Sequence, residues 1–201
     1  MDVRGENAHA ANSRADAWLD SEMRRIRLAF AHITCTTLAV LVLMPALSSA
    51  QDVTEAALKA AFIYNFAQFT EWPGDVVVAA DPFVMCVFGD AAVGDALERA
   101  VKRRTIANHS MIVSQTAHGP QRACHLLYVS GVTVDQAAQL VAGLRDVPVL
   151  TISDIGGFTE SGGIAQFFFE HGQLRFSVRL ASAKRARLQI SSRLLALAKP
   201  Q

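Results

Sequence analysis

The chain has 201 residues, with 19 Lys and Arg against 18 Asp and Glu and a formal net charge of +1. That length suits one domain, and the near-neutral balance excludes the broad basic surface that coats nucleic acid. A hydrophobic content of 51% beside 18% charged residues excludes a disordered chain, and the eleven Phe point to a compact buried core.

Residues 1–22 are polar and patternless. Met23-Arg24-Arg25-Ile26-Arg27 is a short cationic run, followed by an apolar stretch from Leu28, densest over Leu38–Met44, and then Pro45-Ala46-Leu47-Ser48-Ser49-Ala50. A positive run, an apolar run, a helix breaker and small residues (Ser48, Ala50) before the cut are the layout of a secretory signal. Its positive end stays cytoplasmic. Cleavage is expected after Ala50, which divides the chain into 1–50, an N-terminal extension plus signal, and 51–201, a single domain; Met23 is a more ordinary start than Met1. Two readings compete. An uncleaved anchor over Leu28–Leu47 is long enough to span the hydrocarbon, but Thr and His interrupt it. A lipoprotein signal at Cys35 is a poor fit, because Ile33-Thr34 stand where small residues are wanted.

Removal of 1–50 leaves two cysteines, Cys86 and Cys124, in an exported protein. An oxidising compartment makes a disulfide the default, and across that separation it would constrain the unfolded chain by roughly 4 kcal/mol. Two separate buried thiols are the alternative. A redox-active pair is disfavoured because no C-x-x-C spacing exists.

The spacing predicts a helix over Thr54–Phe69, with Thr54 as N-cap and an apolar stripe at Leu58, Ala61, Phe62, Phe66 and Phe69. Glu71-Trp72-Pro73-Gly74 ends it. A strand follows at Phe83–Phe88, and Gly89-Asp90 turns into a helix over Ala91–Val101. Lys102-Arg103-Arg104 at its end reads as a solvated run that caps carbonyls, with an anion site as the alternative. Met111–Ser114 and Leu126–Val129 read as strands, Val134–Leu144 as a helix, and Val147–Ile152 as a strand. Such alternation is the mark of a mostly parallel sheet with helices on both faces, an α/β class. Ile164–Glu170 and Leu174–Leu180 flank His171-Gly172-Gln173 and form an antiparallel hairpin at one sheet edge, with Arg175, Ser177 and Arg179 on its polar face. Ala181–Arg187 is a basic helical turn, and Ile190–Ala198 closes the chain as a helix.

Little of this carries chemistry. The glycines of Asp154–Phe158 and Ser161–Gly163 supply no G-x-G-x-x-G and no P-loop, and read as a turn. His109, His118, His125 and His171 lack metal-ligand spacing. No G-x-S-x-G elbow accompanies a serine, and the acidic residues are isolated. No catalytic residue, metal ligand or cofactor is assigned; the chain reads as a binder, not an enzyme. The Phe residues of the first helix read as core, while Trp72 is balanced between core and interface anchor.

Ala60-Ala61-Phe62-Ile63-Tyr64-Asn65-Phe66-Ala67-Gln68-Phe69-Thr70-Glu71-Trp72-Pro73 resembles the opening signature of the YfiR family of periplasmic proteins. The tail, Gly162-Gly163-Ile164 through Arg175-Phe176, then Ala183-Lys184-Arg185-Ala186 and Ile190–Ala198, resembles its closing signature. The resemblance spans nearly all of 54–198. It implies a small periplasmic α/β domain that forms a homodimer and represses an inner-membrane diguanylate cyclase by binding the cyclase's periplasmic sensor domain. Cyclic-di-GMP and biofilm formation fall as a result, and an outer-membrane lipoprotein sequesters the repressor. Cys86 and Cys124 match one family disulfide in placement; a second, found in some members after Thr151, has no counterpart. The resemblance places the partner face on the hairpin's second strand and the turn after it, around Arg175, Phe176, Arg179 and Leu180, with Trp72 as a further candidate. The alternative is a small-molecule-binding accessory of another membrane sensor, such as a hybrid histidine kinase, with its pocket near Gly89-Asp90 and Asp154–Gly156.

Overall fold

The computed structural model describes residues 46–78, 81–116 and 123–200. The expected cationic and apolar parts of the signal therefore lie outside the described residues. Helix α1 runs over Ala46–Gln68, so Thr54 lies inside it and is not its cap. The stretch Ala46–Val53 contains neither Gly nor Pro, and nothing there stops a helix. The expected cut after Ala50 falls within α1.

The buried face of α1 also differs from the expected stripe. Ala56, Lys59, Ala60, Ile63, Phe66 and Ala67 are buried, whereas Leu58 and Phe69 are each 38% exposed and Ala61 is exposed. The helix is apolar on most sides, so two stripes compete and periodicity alone does not choose between them. What turns it is a charge: Lys59 faces inward because a carboxylate waits there, as described below.

After α1 come β1 (Thr70–Glu71), β2 (Phe83–Phe88), α2 (Ala91–Val101), β3 (Thr105–Ile106), β4 (His109–Thr116), β5 (Leu126–Val129), α3 (Val134–Ala142), β6 (Leu150–Ser153), β7 (Ala165–Glu170), β8 (Gln173–Val178), α4 (Leu180–Arg185), β9 (Gln189–Ile190) and α5 (Ser192–Leu195). Asp90 caps α2 by accepting from Val93 N–H at 3.0 Å. Thr133 and Gln136 form a reciprocal capping box on α3.

The main sheet has the order β3-β4-β2-β5-β6-β7-β8. The five strands β4, β2, β5, β6 and β7 are parallel, and β3 and β8 add antiparallel edges. Strands β5 and β6 are buried at every position, as the middle strands of a covered parallel sheet are. Strand β5 reads as an unbroken apolar run, and in β6 the buried Thr151 and Ser153 hydroxyls accept from Ile164 N–H and Ile155 N–H. On one face, Phe83, Met85 and Val87 of β2 pack with α1, α2 and α4. On the other, Cys86 packs with Ala137 and Val141 of α3, with Leu144 and with Phe158. The class is α/β, as the alternation of elements requires. Cys86 and Cys124 form a disulfide, with Cα atoms 5.8 Å apart, linking β2 to the residue that leads into β5. That removes the alternative of two separate thiols.

Two features depart from the sequence reading. The expected helix over Ile190–Ala198 is only the short α5, because Gln189–Ile190 pairs antiparallel with Thr70–Glu71. Ser191 then caps α5, accepting from Arg193 N–H at 3.3 Å. This small second sheet joins the two segments that carry the family resemblance, which are more than a hundred residues apart in the chain. The hairpin turn is tighter than a three-residue loop: Glu170 pairs with Gln173, and His171 and Gly172 have φ of 51° and 73°. Positive φ at both central positions is the two-residue turn that matches strand twist.

Candidate functional site

Strand β8 is the sheet edge, and alternation sorts its side chains. Leu174 and Phe176 face the core, where the Phe176 ring meets Phe66 edge-on at 4.9 Å between centroids. Phe176 is 3% exposed, so its ring is packed in the core and not on the surface, which corrects the expectation that it contacts a partner. Arg175 lies on the opposite side of β8, exposed, and donates to Gln173 Oε1 at 2.6 Å. Arg179 and Leu180 are exposed where β8 gives way to α4, and Leu180 is 44% exposed. The C-terminal tail leans on the same edge: Lys199 N–H donates to the Phe176 carbonyl at 2.9 Å, and its ammonium pairs with Glu170 at 2.7 Å.

Trp72 does not join that group. It packs over β2 and β5, with its ring edge-on to Phe83 at 4.8 Å and Nε1 donating to the His125 carbonyl at 3.2 Å. Strands β6 and β7 separate it from the β8 edge. It lines a cavity of about 350 Å³ with Pro73, Val77, Phe83, Ile106 and His109. The ring of His125 stacks on Phe83 at 4.9 Å, its Nδ1 accepting from Val84 N–H and its Nε2 donating to the Val76 carbonyl. Burial pushes this imidazole below its usual value, so it serves as a neutral bracket for the Trp72 segment.

The carboxyl ends of the parallel strands carry a different arrangement. After β2 the chain goes to β4 on one side, then returns to β5 on the other, so the strand order reverses between β2 and β5. Here Gly89 and Gly131 bring two turns into close approach. Gly89 has φ of 86°, and a Cβ on it would sit 1.8 Å from the Ser130 carbonyl oxygen. Beside them, Lys59 of α1 bridges Asp154 and Glu55, each at 2.7 Å. Burial opposes the charge on Lys59, but its hydrogen bonds to Asp154 and Glu55 outweigh that and raise its pKa. Burial likewise opposes ionisation of Asp154, yet Lys59 and Ser130 hold its carboxyl below the usual range. Beneath them lies Tyr128, fully buried, whose hydroxyl feels Asp154 and Ser130 without a well-formed hydrogen bond to either. Burial and the Asp154 charge push its ionisation far upward. A cavity of about 260 Å³ opens above, lined by Glu55, Ala56, Lys59, Asp90, Ala92 and Val93. An amine already shared by two carboxylates is a clamp between α1 and the sheet; it offers neither a nucleophile nor a free base.

A family model described as YfiR/HmsC-like matches residues 56–199. The chain belongs to the YfiR/HmsC-like family. Comparison with curated proteins gave no match. The YfiR/HmsC-like family is regulatory, non-catalytic and periplasmic, and is tied to diguanylate cyclase signalling through a membrane-bound signalling protein. The Cys86–Cys124 bridge suits an oxidising compartment, and no described helix is long and apolar enough to cross a membrane.

Within this YfiR/HmsC-like chain, sequence reasoning placed Gly89-Asp90 and Asp154 near one another, at the strand ends, but missed Lys59, Tyr128 and Ser130. Lys59 was hidden as one charge in an apolar helix. The available signal was its position: it shares a face with Ala56, Ile63 and Phe66, where an unpaired ammonium would be costly. The glycine-rich segment after Asp154 is a structural loop. Phe158 plugs the α3 side of the core, and its N–H donates to Gln166 Oε1 at 3.0 Å. Among the described residues no group of three or more His, Cys, Asp or Glu is arranged to hold a metal ion.

Proposed function

We propose that this protein is a non-enzymatic periplasmic repressor, exported by a signal cleaved after Ala50. It binds the periplasmic sensor domain of an inner-membrane diguanylate cyclase and lowers cyclic-di-GMP and biofilm formation. The observation that carries the reading is the family match over 56–199. The exposed Arg175, Arg179 and Leu180 at the β8 edge support a docking face there: two cations and an apolar side chain are exposed along one stretch, and the strand that carries them is anchored by Phe176 packed on Phe66. The mechanism is a bias. The repressor binds the inactive arrangement of the sensor more tightly than the active one, and a difference of about 2–3 kcal/mol shifts cyclase output many-fold. The outward stripe of α1, with Leu58, Ala61 and Phe69 exposed and Phe62 half-buried, is the surface proposed for homodimer contact. An outer-membrane lipoprotein is the proposed antagonist.

A tagged protein is expected to capture an inner-membrane sensor from solubilised membranes, and Arg179→Glu with Leu180→Asp to cut that capture about tenfold. The cavity above Lys59 favours a second reading, a small-molecule-binding accessory of another sensor, because it lies where the strand order reverses. That reading predicts instead a thermal shift with one metabolite and capture indifferent to the β8-edge changes.

A further inference from the structure

The opposite edge of the sheet is open, and its chemistry is specific. Strand β4 runs over His109–Thr116, but β3 covers only His109 and Ser110. From Met111 to Thr116, β4 pairs with β2 on its inner side, and no described strand pairs with it on the outer side. An unpaired strand edge of this length exposes backbone donors and acceptors that a second chain can complete. Ile112 is 49% exposed on it.

Beside this edge, the end of α2 and the turn after it form a groove of about 690 Å³. It is lined by Arg99, Lys102, Arg103 and Arg104 on one side and by Met111, Ile112 and Val113 on the other, with Glu98 its one acidic residue. None of the four cations forms an ion pair with a described residue. Lys102, Arg103 and Arg104 are exposed past the helix end at Val101, as expected of a solvated run. Arg103 takes φ of 63°, and Arg104 N–H caps the Val101 carbonyl at 2.9 Å, so the side chains stay free to face the groove. The Arg104 guanidinium lies over the Tyr64 ring at 4.9 Å, which fixes it beside the groove. Four cations without an ion pair among the described residues, beside a strand edge that no described strand covers, are complementary to an extended chain that carries carboxylates. A small anion would use the cations and leave the strand edge and Ile112 idle.

We propose that Met111–Thr116 is a docking edge for an acidic, extended segment of a partner protein, added as a strand outside β4. Its carboxylates face Arg99, Lys102, Arg103 and Arg104, and its alternate apolar residues cover Ile112. The proposal rests on the reading of this chain as a binding protein, and it supplies a second contact at the sheet edge away from β8. Backbone pairing gives the register, and charge selects acidic over basic segments.

The test uses the purified, disulfide-bonded protein and a fluorescein-labelled seven-residue peptide of alternating Val and Glu, followed by anisotropy. Saturable binding is expected. It should weaken about tenfold for Arg99→Glu with Arg103→Glu, in a variant whose melting curve is unchanged, and a Val-Lys peptide should then bind that variant. Methylation of alternate peptide amides should abolish binding to the parent protein. Absence of binding at millimolar peptide overturns the proposal, as does equal affinity for the N-methylated peptide. Displacement of the peptide by stoichiometric pyrophosphate, or preference for anionic vesicles over the peptide, overturns it in favour of a simple anion site or a lipid surface. The assay contains no sensor, so its failure leaves the repressor reading standing. Loss of sensor capture with peptide binding retained strikes that reading alone.

Discussion

Replacing both Cys86 and Cys124 by Ala is expected to lower the stability of the protein by about 4 kcal/mol. The bridge closes a loop with a sequence separation of 38, which holds the second half of β2 and all of α2, β3 and β4. In the chain-entropy account the gain comes from the denatured state, which loses the freedom to separate the two neighbouring strands. The native geometry is already compatible, because β2 and β5 are adjacent and in parallel register from Met85–Leu126 to Phe88–Val129. Against a total of about 5–15 kcal/mol for a domain, this is a large share. Urea denaturation should show the midpoint falling by about 2 M if the slope is about 2 kcal/mol/M. A loss below about 1 kcal/mol would mean that the unfolded chain keeps this region together without the bond.

Lys59→Met is expected to cost about 3 kcal/mol, because it leaves Asp154 charged and mostly buried with its main counter-charge gone. The double variant with Asp154→Asn should recover part of the loss, since breaking one side of a buried pair is worse than removing both. The pH dependence follows from the directions of the shifts. Asp154 is depressed below 3.8, so its contribution is complete above that value and is lost as pH falls through the lower, folded value. Lys59 is raised above 10.5, so its contribution is complete below that value and is lost as pH rises through the higher, folded value. Chemical denaturation across pH should therefore show the clamp intact between about pH 4 and 10.5, and Lys59→Met should remove both flanks. A Lys59→Met protein as stable as the parent would show that α1 is held by its Phe and Ala contacts alone.

Most of the fold was legible because most of its elements are locally consistent. The spans of β2, α2 and β5 agree in sequence and structure, since each has a clear period or a buried run bounded by Gly, Pro or a capping Asp. Elements too short to carry a period were not. Thr70–Glu71 and Gln189–Ile190 exist only through pairing with each other across more than a hundred residues, and Thr105–Ile106 only through the tight Ala107-Asn108 turn that folds it onto His109–Ser110. The rotation of α1 was hidden for a related reason: Leu58 and Phe69 look as apolar as Ile63 and Phe66, and only the position of Asp154 in space selects between the stripes. Of the proposed partner face, only the alternation is legible in the sequence. Alternation along β8 separates Arg175 from Phe176, yet the resemblance named a stretch of chain and so included the residue that points inward.

The central claim is that this protein acts by contact on a membrane sensor, and intracellular cyclic-di-GMP tests it most directly. In cells lacking the gene the account predicts a several-fold rise, reversed by the parent protein and not by one carrying Arg175→Glu and Arg179→Glu. Cyclic-di-GMP that stays the same with and without the gene would contradict it.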